Sequence, residues 1–243
     1  MHDMTLEGKV AIVTGAGRGI GRSIAHALAQ RGVSVSLAAR SADELEHVRE
    51  DIDTARGKAC CFPTDIGREQ DAVALVRNTV ERFGRLDILV NNAGMGIFKP
   101  LVATSTEEWD DIMRVNARGP FILCREAIPY LIQQERSYIV NISSVVGVKG
   151  YENQSAYAAS KHALMGMTKA LAKEVRDLGI RVHALCPGGV DTALIANARP
   201  DLDKSVLMRP EEIADAVLFL VTREGNAVID EIHLHRESST PWA

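Results

Sequence analysis

Short apolar runs alternate along the chain with longer stretches whose apolar residues recur every three or four positions. Val10 to Thr14 is continuous, rich in β-branched residues and followed by glycines, which predicts a buried strand. Ile20, Ile24, Ala27 and Leu28 then keep helical spacing from Ile20 to Gln30, with Gly32 as a stop. Val33 to Ala39 predicts a second strand. Ser41 and Glu44 have the spacing of a capping box, which opens a helix running to about Arg56. Lys58 to Pro63 reads as strand, Glu69 to Phe83 as helix and Leu86 to Asn91 as strand.

Ser105 and Glu108 form a second capping-box pattern. The helical stretch it opens extends towards Gln134, with an interruption or bend expected near Gly119-Pro120. Tyr138 to Ile142 is strand-like, Ser155 to Leu178 helical, and Ile180 to Leu185 strand-like up to Cys186-Pro187-Gly188-Gly189. Beyond Pro187 the pattern loosens. Ala193 to Val206 is polar and mixed, Pro210-Glu211-Glu212 starts another helix, and Val228 to Leu234 offers a last strand. The polar tail from Arg236 to Ala243, with Trp242, is expected at the surface or at a subunit contact.

Strands alternating with helices imply right-handed crossovers and a parallel sheet covered on both faces. No linker or short-period repeat divides the 243 residues, so one domain over 1–243 is expected. Its composition, 46% hydrophobic and 25% charged, is that of an ordinary soluble domain. A net charge of -4 without a basic stripe argues against a nucleic-acid partner. No apolar run approaches the ~20 residues of a membrane span, and the polar start, Met1 to Lys9, has no signal-peptide pattern. Cys60, Cys61, Cys124 and Cys186 lack metal-ligand or disulfide spacing and read as buried small hydrophobes in a reducing cytoplasm, so no metal is expected.

Two features carry candidate chemistry. Thr14 to Gly21 places glycines between the first strand and first helix, where backbone N–H groups can approach a phosphate. Its pattern is TGxxxGxG rather than GxGxxG, and a glycine-rich turn without a ligand is the plainer alternative. Tyr157 and Lys161, four apart, share one helix face, which sets a phenol beside a cation that favours its ionised form. A tyrosine at the edge of a core beside a lysine is the ordinary alternative. His162 lies about a hundred degrees round the helix from Lys161, which suits a packing or interface role. Trp109 is expected to anchor its helix in the core, and Cys186 to be structural.

Four motifs in order resemble the short-chain dehydrogenase/reductase family over nearly the whole chain. They are TGxxxGxG at Thr14 to Gly21, Asn91-Asn92-Ala93-Gly94, Ser144 with Tyr157-x-x-x-Lys161, and Pro187-Gly188-x-Val190-x-Thr192. The resemblance implies a Rossmann-type, doubly wound sheet of about seven strands in the order 3-2-1-4-5-6-7. It implies Tyr157 as the acid/base. Lys161 would lower its pKa and bind the nicotinamide ribose, Ser144 would hold the substrate oxygen, and Asn116 would hold a water linking Lys161 to solvent. Of the adjacent Ser143 and Ser144, the family's spacing selects Ser144. Cofactor contacts carried over are Gly15, Arg18, Gly19, Ile20, Gly21, Asp65, Ile66, Asn91, Ala93, Gly94, Pro187, Gly188, Val190 and Thr192, with Tyr157 and Lys161.

The end of the second strand, Ala38-Ala39-Arg40-Ser41, has no carboxylate to meet a ribose 2′-OH. Arg40 offers a planar fork suited to a 2′-phosphate, and Arg18 a second cation. NADP(H) is therefore the preferred cofactor, with NAD(H) possible and two solvated arginines as the alternative.

Substrate choice is expected to rest on 95–100, 145–155 and a short lid around 192–208. That lid is short, and Glu231 to Glu237 departs from the ending common among 3-oxoacyl reductases of the family. The expected function is NADPH-dependent reduction of a ketone or aldehyde, a 3-oxoacyl thioester included. The alternatives are an NAD(P)-dependent dehydrogenase of a sugar, polyol or other secondary alcohol, and a non-catalytic dinucleotide-sensing domain. The resemblance also implies a homodimer or homotetramer. Ala163, Leu164, Met167, Ala170 and Leu171 suit helix packing between subunits or simple cover of the sheet.

Overall fold

The computed structural model describes residues 5–198 and 203–240. Seven strands form one parallel sheet: β1 (Val10–Thr14), β2 (Ser34–Ala39), β3 (Lys58–Pro63), β4 (Ile88–Asn91), β5 (Ser137–Ile142), β6 (Ile180–Pro187) and β7 (Glu231–Leu234). Their order is β3-β2-β1-β4-β5-β6-β7, and the chain reverses its direction of travel across the sheet between β1 and β4. This is the doubly wound order that the family resemblance implies, and it opens a crevice at the carboxyl ends of β1 and β4.

Side-chain alternation along each strand separates two cores. Ala11 and Val13 of β1 face one core and Ile12 the other; Ile88 and Val90 of β4 face the first and Leu89 the second. The first core is covered by α1 (Gly19–Gln30), α2 (Ala42–Thr54) and α8 (Pro210–Thr222), through Ile24, Leu45 and Val217. The second is covered by α3 (Glu69–Phe83), α5 (Gly119–Leu131) and α6 (Ser155–Glu174), through Leu75, Leu123 and Leu171. With both faces covered, the strands can be apolar throughout; β1 and β5 are buried at every position.

Several local expectations change. The long helix opened by Ser105 is two helices, α4 (Thr106–Met113) and α5, joined by a π turn over Arg114–Arg118. The interruption therefore precedes Gly119-Pro120. A Cβ on Gly119 would lie 2.9 Å from the Ile66 carbonyl oxygen, and Pro120 sits in the first turn of α5, where it costs no hydrogen bond. Ser105 and Glu108 form the full reciprocal box. At α2 only half of it exists: Ser41 accepts from the Glu44 amide, but the Glu44 carboxylate turns to Arg18.

Trp109 is 37% exposed rather than a core anchor, because Ile112 alone of α4 is buried. His162 is also exposed, with Nδ1 at 2.9 Å from the Ala158 carbonyl. Cys124 and Cys186 are buried as expected, while Cys60 and Cys61 are half-buried on the edge strand β3. α6 ends at Glu174, and a 3-10 turn, Arg176–Leu178, completes the expected helical stretch. In the segment 192–208, a short helix α7 (Ala193–Ala198) and a 3-10 turn Lys204–Val206 are present, and residues 199–202 lie outside the described residues, as does Trp242. No helix among the described residues is long and apolar enough to cross a membrane.

Candidate active site

The glycine loop is held by its neighbours as much as by its own geometry. Gly15 (φ +65°) and Gly19 (φ +54°) occupy left-handed backbone that disfavours side chains. A Cβ on Gly21 would lie 2.2 Å from the Gly15 carbonyl oxygen, so α1 can start this close to β1 only with glycine there. Asn92 locks the loop from the other side. Its Nδ2 donates to the Thr14 carbonyl at 2.8 Å, while the Asn92 and Ala93 amides donate to Thr14 Oγ1 at 3.0 Å each. The resulting α1 N-terminus has no side-chain cap and no acidic residue in its first turn. Its uncapped N–H groups and positive dipole end therefore face the crevice without a competing carboxylate of their own turn.

A cleft of about 1470 Å³ runs from this loop to the ends of β5 and β6. It exceeds the usual volume of a single small-ligand pocket, roughly 300–1,000 Å³, which leaves room for a dinucleotide and a substrate together. Gly15, Arg18, Gly19, Ile20, Arg40, Asp65, Ile66, Ala93, Gly94, Tyr157, Lys161, Pro187, Gly188, Val190 and Thr192 all line it.

Three expected positions do not. Gly21 packs under the loop. Asn91 is 2% exposed and donates to Asn141 Oδ1 at 2.8 Å, beneath the cleft floor. It is the neighbouring Asn92 that reaches the cleft; strand alternation turns adjacent side chains to opposite sides. Asn116, also fully buried, stands behind the wall. Its Oδ1 accepts from the Met95 amide at 2.9 Å, and its Nδ2 donates to the Met95 carbonyl at 2.8 Å and Ser160 Oγ at 3.0 Å. Both of its N–H donors are committed to holding the 95–100 segment against α6.

The π turn explains that placement. A π turn widens the helix by one residue and is common at functional positions. Here Asn116 lies within it, directed at α6. Gly94 supplies the remaining space: a Cβ there would lie 3.3 Å from Asn116 Oδ1 and 3.6 Å from Lys161 Nζ.

Ser144, Tyr157 and Lys161 converge at the inner end of the cleft, each less than a tenth exposed. Lys161 Nζ donates to the Ile142 carbonyl at 2.9 Å and stands 6.0 Å from the centroid of the Tyr157 ring. Phe98 packs edge-on against that ring at 5.6 Å, and Val145, Val146, Met95 and Ile97 continue the apolar surface.

Burial dominates the titration of both groups. It pushes the Tyr157 phenol up to about 12, offset only in part by the Ser144 hydroxyl. It pulls the Lys161 ammonium down to about 8. Desolvation thus outweighs, at this separation, the lowering of the Tyr157 pKa expected from Lys161. The phenol is therefore firmly protonated near neutral pH.

At the outer end, Arg18 Nη1 pairs with Glu44 Oε1 at 3.3 Å, an exposed contact. Arg40 is exposed and has no hydrogen-bond or ion-pair partner among the described residues. The sequence pattern missed several lining residues. Glu44 and Arg114 arrive from helices, and His235, Arg236 and Ser238 to Thr240 bring the tail into the cleft rather than to the remote surface. Arg236 lies over Gly189, with Cδ 3.3 Å from where a Cβ would stand. No motif marks these positions, because only the path of the chain after β7 brings them here.

Residues 9–203 match the family described as short chain dehydrogenase. The chain is 35% identical to the 3-oxoacyl-acyl-carrier-protein reductase of Thermotoga maritima, over 94% of this chain and 96% of that protein. A metagenomic short-chain oxidoreductase solved in complex with NADP superimposes with a TM-score of 0.85 at 34% identity, covering 97% of this chain and 100% of the other. An alcohol dehydrogenase from the archaeon Thermococcus sibiricus, complexed with 5-hydroxy-NADP, gives 0.89 at 30% identity, covering 97% and 99%.

Proposed function

The chain belongs to the short-chain dehydrogenase family, as an oxidoreductase, and we propose that within it this protein is an NADPH-dependent reductase of ketones or aldehydes. The observation that carries the reading is the buried Tyr157 phenol, held protonated beside Ser144 and Lys161 at the closed end of a dinucleotide-sized cleft. A protonated, desolvated phenol is suited to give a proton to a developing alkoxide rather than to take one from an alcohol.

The cofactor fits the residues present. The uncapped α1 amides and the Gly15–Gly21 cradle would hold the pyrophosphate. Arg40, without a partner among the described residues, would meet the 2′-phosphate, and no carboxylate at the end of β2 opposes it. Lys161 would hold the nicotinamide ribose, with Pro187, Gly188, Val190 and Thr192 along the nicotinamide side. When bound, NADPH supplies the hydride.

The chain's own groups do the rest. Ser144 orients the carbonyl oxygen by hydrogen bond, and Tyr157 gives its proton to that oxygen. Lys161, while charged, stabilises the phenolate left behind. The Asn116 side-chain donors are spent on Met95 and Ser160, so a water it held beside Lys161 would be bound through an acceptor. Phe98, Val145 and Val146 give the substrate an apolar face.

The two nucleotide-bound relatives were solved with NADP or a derivative of it, which supports the cofactor assignment. The reductase relative keeps 3-oxoacyl thioesters among the substrates to try. The test is NADPH oxidation against a panel of 3-oxoacyl thioesters, diketones, keto sugars and simple ketones, repeated with NADH. Turnover of at least one carbonyl class, with kcat/KM higher for NADPH, is expected. No turnover across the panel, or NADH equal to or better than NADPH, would contradict the proposal.

A further inference from the structure

The edge of the sheet away from β3 gathers three metal-ligating side chains that no role above uses. β6 and β7 run parallel with Cys186 directly paired to His233. Glu231 lies two residues before His233, so both project from the same face of β7, beside Cys186 on β6. The Cys186 thiol, a Glu231 carboxylate oxygen and a His233 ring nitrogen lie within 4.8 Å of one another. Sequence spacing conceals the set, since its members are contributed by two strands separated by α7 and α8.

We infer that Cys186, Glu231 and His233 form a binding site for a divalent cation of the zinc class. One thiolate, one imidazole and one carboxylate are the ligand types zinc accepts, and three protein ligands leave a fourth, open position for water. Tetrahedral coordination by these atoms requires donor separations of about 3.5 Å, so the Glu231–His233 pair has to open and any longer separation within the 4.8 Å limit has to close. Glu231 Oε1 and His233 Nε2 approach to 2.5 Å, a contact that an ion between them would replace.

The surroundings grade from buried to open, as an entry path requires. Cys186 is fully buried, with its sulfur 3.7 Å from the Met165 thioether of α6. Glu231 and His233 side chains are 24% and 37% exposed and form the outer side. Lys169 of α6 pairs with Glu231 Oε2 at 3.5 Å and is the cation that a divalent ion must displace. Ligation would pin the short edge strand β7 to β6 one residue before Pro187, which lines the cleft. This proposal departs from the expectation of a metal-free chain, which rests on cysteine spacing alone.

The full chain, stripped with a chelator and free of nucleotide, is titrated with Co²⁺ as a spectroscopic probe and with Zn²⁺ in competition. A thiolate-to-cobalt charge-transfer band saturating at one equivalent is expected, displaced by Zn²⁺. The band is lost in Cys186→Ser. Affinity falls by roughly tenfold or more in His233→Ala, an exposed position whose change spares the fold. In Lys169→Met, which removes the competing cation, affinity rises by about two- to fivefold. Absence of the band in the wild type, its survival in Cys186→Ser, wild-type affinity in His233→Ala, or unchanged or lower affinity in Lys169→Met would each overturn the assignment. If Cys186→Ser does not fold, the other two variants decide.

Discussion

At the scale of single residues, burial sets the chemistry of Tyr157 and Lys161. Holding the ammonium charged at about 8 instead of 10.5 corresponds to about 3 kcal/mol of desolvation. The sign for activity follows. Reduction needs a protonated phenol and a charged lysine; both exist below about pH 8, and the lysine is lost first as pH rises. We expect kcat/KM for NADPH, which reports the free enzyme, to be level below pH 8 and to fall above it. Lys161→Met should lose that limb along with most activity; a limb that persists unchanged would place it elsewhere. The sign for stability is opposite. Between about pH 8 and 10.5 the unfolded lysine holds a proton that the folded one has released, so the Lys161 contribution to stability rises with pH across that window. A second residue-scale prediction concerns Glu44. Under the proposed function its exposed pair with Arg18 would compete with the 2′-phosphate, and such pairs contribute about 0.2–1 kcal/mol. Glu44→Gln should therefore tighten NADPH by about two- to fivefold and leave NADH nearly unmoved, as measured by nucleotide fluorescence titration. Equal gains for both nucleotides would contradict it.

At the scale of elements, most of what was legible came from periodicity and caps. The β1 strand, the α1 helix and the Ser105 box follow from β-branched runs, helical spacing and side chains placed to satisfy orphan N–H groups. Asn116 was legible as a site residue only by resemblance. Its real setting, a π turn that aims it at α6, goes with Ile66 pressing on Gly119 and with the Met95 backbone, whose amide donates to the asparagine side chain and whose carbonyl accepts from it. Neither contact is local in sequence, so no pattern along the chain announces it. The same holds at Asn91: resemblance selected it, but the pleat turns it beneath the cleft floor and presents Asn92 instead. The glycine loop gives a direct test. Gly21→Ala forces a methyl to within 2.2 Å of the Gly15 carbonyl oxygen, against backbone that cannot yield cheaply. We expect a loss of about 1–3 kcal/mol in stability and a larger proportional loss in NADPH affinity. Wild-type affinity in a folded Gly21→Ala protein would show that the loop does not hold the pyrophosphate.

At the scale of the molecule, a parallel sheet covered on both faces was legible because apolar runs and amphipathic stretches alternate without a linker; the strand order was legible only through the family resemblance, and the observed order matches it. What was not legible is how far the tail travels: Arg236 and Ser238 to Thr240 reach the cleft only because β7 lies beside β6 and ends at its mouth. Binding across so many elements links the cofactor to global stability. At a hundred times its Kd, NADPH should add about 2.7 kcal/mol, or roughly 5–10 °C in thermal midpoint for a chain of this size. Arg40→Ala should lose most of that increment for NADPH and keep the smaller one for NADH. The central claim, proton donation by Tyr157 to a carbonyl reduced from NADPH, is tested most directly by single-turnover reduction of the best substrate in Tyr157→Phe. We expect NADPH to bind with near wild-type affinity and the chemical step to slow by about a hundred- to ten-thousandfold. A single-turnover rate within a few-fold of wild type would contradict the account.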